Sequence, residues 1–456
     1  MLNLRLSEVA LWTRGALHGA DALLRGVSID SRAIEPGQLF VALRGEHHDG
    51  HDHLAQAAER GAAGALVSRK VESDLPQVRV ADTLIALGDL ASAVRAQRKV
   101  RVAGITGSNG KTTVKALTAS ILSLHGRTHG NAGNFNNEIG LPLSLLAMPA
   151  DSEYAVIEMG AGKPGDIAYL AAIARPEVGL VNNIAPAHLE RLRTLEGVAE
   201  TKGALYQALP ADGVAIVNAD DAFADFFAGL AGARRVLRFG FADNADVRVK
   251  TIELQAQASA FELVTPHGSQ HVRLPLPGRH NVANALAAAS IALAFDVPLA
   301  TIDEGLETAS AVGGRLLRRQ ARGGWNVIDD SYNANPGSAA AAIATLVLQP
   351  GERWLVLGDM RELGEDAPAL HAAIGREARA AGVEKLFVVG ELSAHAARAF
   401  GEDAAHFADQ PALIDALRVR LRAGVTVLVK GSRSSRMEHV ATALLDGNGG
   451  GARHAA

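Results

Sequence analysis

The stretch RVAGITGSNGKTTVKALTASILSL, residues 101–124, runs from an apolar strand through a glycine-rich turn into a helix. Gly104, Gly107 and Gly110 let backbone N–H groups converge on phosphate oxygens, and the helix start adds the positive end of its dipole. A lysine in that place, Lys111, meets β- and γ-phosphates, and the hydroxyl of Thr112 can ligate Mg²⁺. The run Gly107, Ser108, Asn109, Gly110, Lys111, Thr112 and Thr113 is therefore predicted to cradle a nucleotide. Its spacing departs from GxxxxGK[ST], which would need glycine where this chain has Ile105. The alternative is a glycine-rich turn with a surface lysine.

Outward from this turn, the apolar runs YAVIEM (154–159), VGLVNN (178–183) and GVAIVN (213–218) alternate with helical segments. Strands apolar on both faces predict a parallel sheet covered by helices. The span 236–273 alternates with little helical signal and reads as a small antiparallel insertion. Farther on, WNVIDD (325–330), RWLVLGD (353–359), KLFVVG (385–390) and VTVLVKGS (425–432) restore the strand-then-helix rhythm. This predicts a C-terminal Rossmann-like domain, with ligands at the carboxyl ends of its strands. Before the turn, LFVAL (39–43), ALV (65–67), VRV (78–80) and a helix over 84–98 predict a small α/β domain. The fold class is thus α/β in three domains, over 1–98, 99–314 and 315–456. A length of 456 residues at roughly 150 per domain agrees with that number.

Forty-five Lys and Arg against 49 Asp and Glu leave a net charge of −4, which argues against a general nucleic-acid binder. No cysteine is present, so disulfides, thiolate metal sites and cysteine nucleophiles are excluded. Arg5, Glu8 and Arg14 break every apolar run near the start, so no signal-peptide core forms. The apolar span Ala283 to Phe295 is too short for a bilayer and reads as a buried helix. The glycine-rich tail from Asp446 to Ala456 is expected to fray.

Several side chains remain to be weighed. Glu158, closing YAVIEMG, stands where a phosphate loop wants a magnesium-binding carboxylate, although a strand-end glutamate can be merely solvated. His188, after the next strand, can be a ligand or structural. Lys202, in AETKGALY, reads as a surface helix lysine. The cluster HHDGHDH (47–53) fits no common metal-site spacing and reads as a polar loop. The seam Arg95, Arg98, Lys99 and Arg101 reads as a solvated linker.

GITGSNGKTT, YAVIEMGAG, NIAPAHLE, PGRHNVANALAA, GGR (313–315), DDSYNANPGS and LVKGSRSSRMEHV occur in an order that resembles the Mur ligases, the ATP-dependent amide-forming enzymes of peptidoglycan precursor synthesis. GNFNNEIGLP (133–142), DDSYNANP (329–336) and GDMRELG (358–364) look like the member acting last. The resemblance implies joining D-alanyl-D-alanine to UDP-N-acetylmuramoyl-tripeptide, through an acyl phosphate, by a cytoplasmic monomer. Lys111 and Thr112 would then hold the ATP phosphates and one Mg²⁺, with Glu158 as a further metal ligand. His188 would position a second Mg²⁺, faced by a carbamylated Lys202. Asn281 and Asn284 resemble adenine-side residues, and Arg315 and Asp330 would reach across to the phosphates and ribose. Ser31 and Arg32 resemble the uridine-nucleotide site, in the domain whose following loop holds the histidines. Asn134, Asn136 and Asn137 resemble the segment facing the muramoyl-peptide. Position 332 is tyrosine where the sister ligase that adds D-glutamate has lysine, so that phosphate role is not carried to Tyr332.

Closure of the second and third domains on ATP is the implied way of completing the site and excluding water. Three rival readings exist. The ligase that adds meso-diaminopimelate usually carries Asp-Asn-Pro-Arg, absent here. Folylpolyglutamate synthase lacks a UDP-binding first domain, whereas 98 residues precede the core here. A nucleotide-dependent switch or binding module is the reading from another class; no Asn-Lys-x-Asp follows any strand.

Overall fold

The computed structural model describes residues 3–186 and 189–446. His188 and the tail beyond Asp446 lie outside them. The central feature is a nine-stranded sheet in which Arg101–Thr106 lies between Tyr154–Glu158 and Val178–Val181, parallel to both. Alternate side chains of these strands point to opposite faces, and both faces are buried. Register pairs Ile105 with Glu158 and Thr106 with Val181, so the three strands end together where the glycine turn begins. On one face lie the helices Lys111–Ser123 and Arg279–Ala294, the second of which includes the alanine-rich run, buried as its composition predicts.

Residues 236–273 are not a separate insertion. Arg235–Gly240 pairs parallel with Val214–Asn218, and Val247–Leu254 begins parallel before Ser259–Thr265 and Gly268–Leu274 continue antiparallel. The period-2 alternation does form strands. What it could not give was the partner, which is the open edge of the same sheet.

The first part of the chain forms a five-stranded sheet, parallel except for Ala16–His18 on Gln77–Arg79. Its helix Thr83–Ala96 packs apolar residues into a core shared with the far face of the central sheet. Arg95 is correspondingly not a solvated linker residue. Its guanidinium is buried and donates to the carbonyls of Ala174 (2.9 Å), Arg175 (3.2 Å) and Arg98 (3.1 Å). A cation there meets the negative end of the helix Asp166–Ala174.

The last sheet has six strands, parallel apart from the edge strand Leu317–Gln320, which pairs antiparallel with Asn326–Asp330. That hairpin was not expected from a Rossmann-like reading. It matters because it sets Arg315 at its entrance. Among the described residues no helix is long and apolar enough to cross a membrane.

Candidate active site

The glycine turn is held by asparagines following the neighbouring strand. Asn183 Oδ1 accepts from the Asn109 amide at 2.9 Å and its carbonyl accepts from the Ser108 amide at 2.9 Å. Asn182 and Asn183 each donate from Nδ2 to the Asn109 carbonyl, at 3.0 and 3.2 Å. Gly110 starts the helix at φ +80, a left-handed conformation that costs glycine little. A Cβ on it would come within 2.4 Å of Asn284 Oδ1.

Thr112 presents its hydroxyl to Glu158 Oε2 at 2.9 Å, and Asn136 donates to Glu158 Oε1 at 2.8 Å. Glu158 is buried, and burial alone would raise its pKa. Lys111 and Lys115, with the hydrogen bonds from Asn136 and Thr112, together outweigh that and hold the carboxyl below its ordinary value, so it is ionised at neutral pH. Burial pushes Lys111 down, opposed by Glu158, and its Nζ donates to the Gly107 carbonyl at 2.8 Å. Neither Lys115 nor Asn131 was singled out from the sequence. Lys115 Nζ lies 3.7 Å from Glu158 and donates to the Asn131 carbonyl at 2.7 Å. Its signal was legible: it follows Lys111 by four residues, one helical turn on the same face.

Asn281 and Asn284 line the same cavity, Asn284 joined to Asn182 at 3.0 Å and to Asn281 at 3.3 Å. Across it, Arg315 Nη2 donates to Thr112 Oγ1 at 2.9 Å, and its guanidinium carbon lies 4.4 Å from the centre of the Tyr332 ring. Asn335 donates to Asn109 Oδ1 at 2.8 Å. Asp330 sits at 2.6 Å from Lys430 Nζ and accepts from the Leu316 amide at 3.2 Å. Burial raises the Asp330 pKa against the pull of Lys430. Lys430, also missed, ends the strand Val425–Lys430, at the carboxyl edge where ligands are expected.

These groups enclose a cavity of about 620 Å³ between the central and C-terminal sheets. Asn136 and Asn137 line it, whereas Asn134 does not and is exposed. Ser31 and Arg32 do not line it either: Ser31 is buried against Gln56 Oε1 at 2.6 Å, and Arg32 is exposed and paired with Asp30 at 2.9 Å. In the histidine cluster, His51 is buried between Asp49 Oδ1 (2.6 Å) and the Ser68 amide (2.8 Å), so its two ring nitrogens tie the loop to the sheet.

Lys202 corrects its reading as a surface residue. It lies in the helix Leu195–Gln207 and is 1% exposed. Burial, followed by the nearby charge of Lys111, holds its pKa well below that of free lysine. Letters around it carried no sign of this, because the charged groups nearest it, Lys111 and Asp166, belong to other elements.

Comparison with known proteins agrees along the whole chain. Residues 23–100 match the Mur ligase family catalytic domain, 105–292 the Mur ligase middle domain, and 314–433 the Mur ligase glutamate ligase domain. The chain belongs to the Mur ligase family. The UDP-N-acetylmuramoyl-tripeptide–D-alanyl-D-alanine ligase of Escherichia coli is 46% identical to this Mur ligase over 97% of this chain and 99% of that one. The ligase of the same name from Bacillus subtilis is 33% identical over 98% and 99%. A crystal structure of MurF from Acinetobacter baumannii superposes with a TM-score of 0.93 at 35% identity, covering 98% of this chain and 99% of that one. MurF ligase from Thermotoga maritima in complex with ADP does so at 0.82 and 28% identity, covering 92% and 97%.

Proposed function

We propose that this Mur ligase joins D-alanyl-D-alanine to UDP-N-acetylmuramoyl-tripeptide, converting ATP to ADP and phosphate. The reaction class rests on the Arg315–Thr112 hydrogen bond across the cavity, which puts a cation of the C-terminal segment against the phosphate loop. The choice of substrates rests on the full-length likeness to ligases of that name.

A carboxylate is a poor electrophile, so its oxygen first attacks the γ-phosphorus of ATP as the bond to ADP breaks. The dipeptide amine then attacks the resulting acyl phosphate, loses a proton, and phosphate leaves. Lys111 and Arg315 offset the repulsion between the two anions of the first step. The loop amides of Gly110 and Lys111 orient the phosphates, and Asn281 and Asn284 face the adenine. Asp330, fixed by Lys430, is placed for the ribose, and Asn136 and Asn137 face the peptide. Ser31 and Arg32 take the uridine nucleotide in the first sheet.

The residues suit Mg²⁺. Thr112 and the ionised Glu158 offer hard oxygen donors 2.9 Å apart, the donor type that Mg²⁺ prefers. When bound, such an ion neutralises charge on the phosphates. Lys202 suits carbamylation, because a deprotonated amine is the form that adds carbon dioxide and burial favours it. His188 is assigned with Lys202 to the second ion. The reading places the enzyme in the cytosol as a monomer.

Phosphate release from ATP tests the whole reading, in four mixtures: no substrate, either substrate alone, and both. Release that needs both, with a product of the mass of the joined pentapeptide, is expected. Release driven by a UDP-dipeptide and one amino acid would move the chain to the sister ligase. Turnover indifferent to every substrate would make it a switch.

A further inference from the structure

We infer that Tyr332 is the positioning residue that holds Arg315 against the phosphate loop; this rests on the function proposed above. Arg315 is delivered by a strained turn. Gly314 before it has φ +70 and Leu316 after it has φ +53, in the left-handed region that a leucine adopts only when its surroundings enforce it. Two contacts enforce it. The Leu316 amide donates to Asp330 Oδ1 at 3.2 Å, and the Tyr332 amide donates to the Gly314 carbonyl at 3.1 Å. The second packs the Tyr332 backbone directly beneath the turn, where a Cβ on Gly314 would lie 3.3 Å from Tyr332 Cβ.

The backbone therefore fixes where Arg315 begins, but not where its guanidinium ends. An arginine side chain has several rotatable bonds and loses much rotamer freedom when held in one place. Among the described residues its free end has two partners, the Thr112 hydroxyl and the face of the Tyr332 ring at 4.4 Å. The hydroxyl is also the group assigned to the metal, so the ring is the restraint that persists when the site fills. Arg433, from the loop after Val425–Lys430, lies 5.8 Å from the ring centre and is held by Glu438 at 3.1 Å. The ring thus serves two cations and links the ends of two neighbouring strands. Among the described residues its hydroxyl makes no hydrogen bond, so the aromatic ring is the working part. A lysine at 332 could not play this role, because its charge would repel Arg315.

The test compares Tyr332→Phe, Tyr332→Leu and the double variant Tyr332→Leu/Arg315→Ala with the parent and Arg315→Ala. Tyr332→Leu should lower kcat roughly tenfold, about 1.4 kcal/mol, with KM for each substrate and calorimetric ADP affinity within about threefold of the parent. Tyr332→Phe should restore kcat to within about twofold. In the Arg315→Ala background, Tyr332→Leu should change nothing further, since the restrained group is gone. Three results would each overturn the inference: an unaltered kcat for Tyr332→Leu, equal losses for the Leu and Phe variants, or additive losses in the double variant. If Tyr332→Leu fails to fold, an impaired Tyr332→Phe would overturn the inference on its own. A parent enzyme that releases no phosphate with both substrates would instead sink the proposed function.

Discussion

Lys202 is a residue at odds with its surroundings: a buried amine whose nearby carboxylate, Asp166, does not offset burial and the charge of Lys111. Its folded pKa lies well below that of the free side chain, so over the interval between the two the unfolded chain binds more protons. Stability contributed by this group therefore falls as pH is lowered from above about 10.4 into that interval. Replacing it should relieve the cost. In buffer stripped of carbon dioxide, Lys202→Met is expected to raise Tm at neutral pH while abolishing turnover, and the gain in Tm should shrink toward pH 10. A lower Tm at neutral pH would mean that the amine has a stabilising partner. Added bicarbonate should raise the activity of the parent enzyme and leave Lys202→Met inactive.

At the scale of an element, the helix Lys111–Ser123 depends on how it starts. Its first amides point at the phosphate position because Gly110 turns the chain with φ +80. An L-residue in that region costs roughly 1–2 kcal/mol before any clash. Here a Cβ would also meet Asn284 Oδ1 at 2.4 Å and Asn182 Nδ2 at 2.5 Å. Gly110→Ala is thus expected to lower Tm by several degrees and to weaken ADP binding at least tenfold, read by thermal melting and calorimetry. Gly229→Ala makes a suitable control, since it lies in the helix Ala224–Ala231 away from the cavity and a Cβ there meets nothing within 4 Å. Normal ADP affinity in Gly110→Ala would show that the amides do not need this turn to reach the phosphates.

Across the whole molecule, the central and C-terminal parts meet through polar contacts, Arg315 to Thr112 and Asn335 to Asn109 at the phosphate loop and Gln349 to the Ala256 carbonyl away from it. The first part of the chain is joined differently, by a continuous apolar core and by Arg95. Polar contacts in a wet cleft are readily exchanged for contacts to a ligand, whereas a shared core is not. Movement in catalysis is therefore expected between the central and C-terminal sheets. Arg315→Ala should reduce kcat on the order of a hundredfold, the scale for removing one electrostatic contact to a transition state. Binding of the UDP-substrate, which the first sheet carries, should change far less. Equal losses in the two would argue against the clamp.

The parallel sheets, the glycine turn and the family were legible in the residues, because each is written in stretches of neighbouring letters. Apolar runs of strand length, glycines where backbone must approach phosphate, and the order of seven motifs are all local. Glu158 was legible from its place at a strand end, whereas Arg315 entered only through the resemblance that the GGR motif helps to carry. Tertiary structure alone decided the rest. Residues 236–273 became an extension of the central sheet because strand pairing depends on which edge is open. Arg95 became a buried cap because a helix C-terminus 79 residues away comes to meet it. Lys202 became a perturbed amine, and Tyr332 a support for Arg315, for the same reason. Burial and ring stacking are properties of surfaces that separate parts of the chain make together, and a stretch of letters around one residue does not contain them.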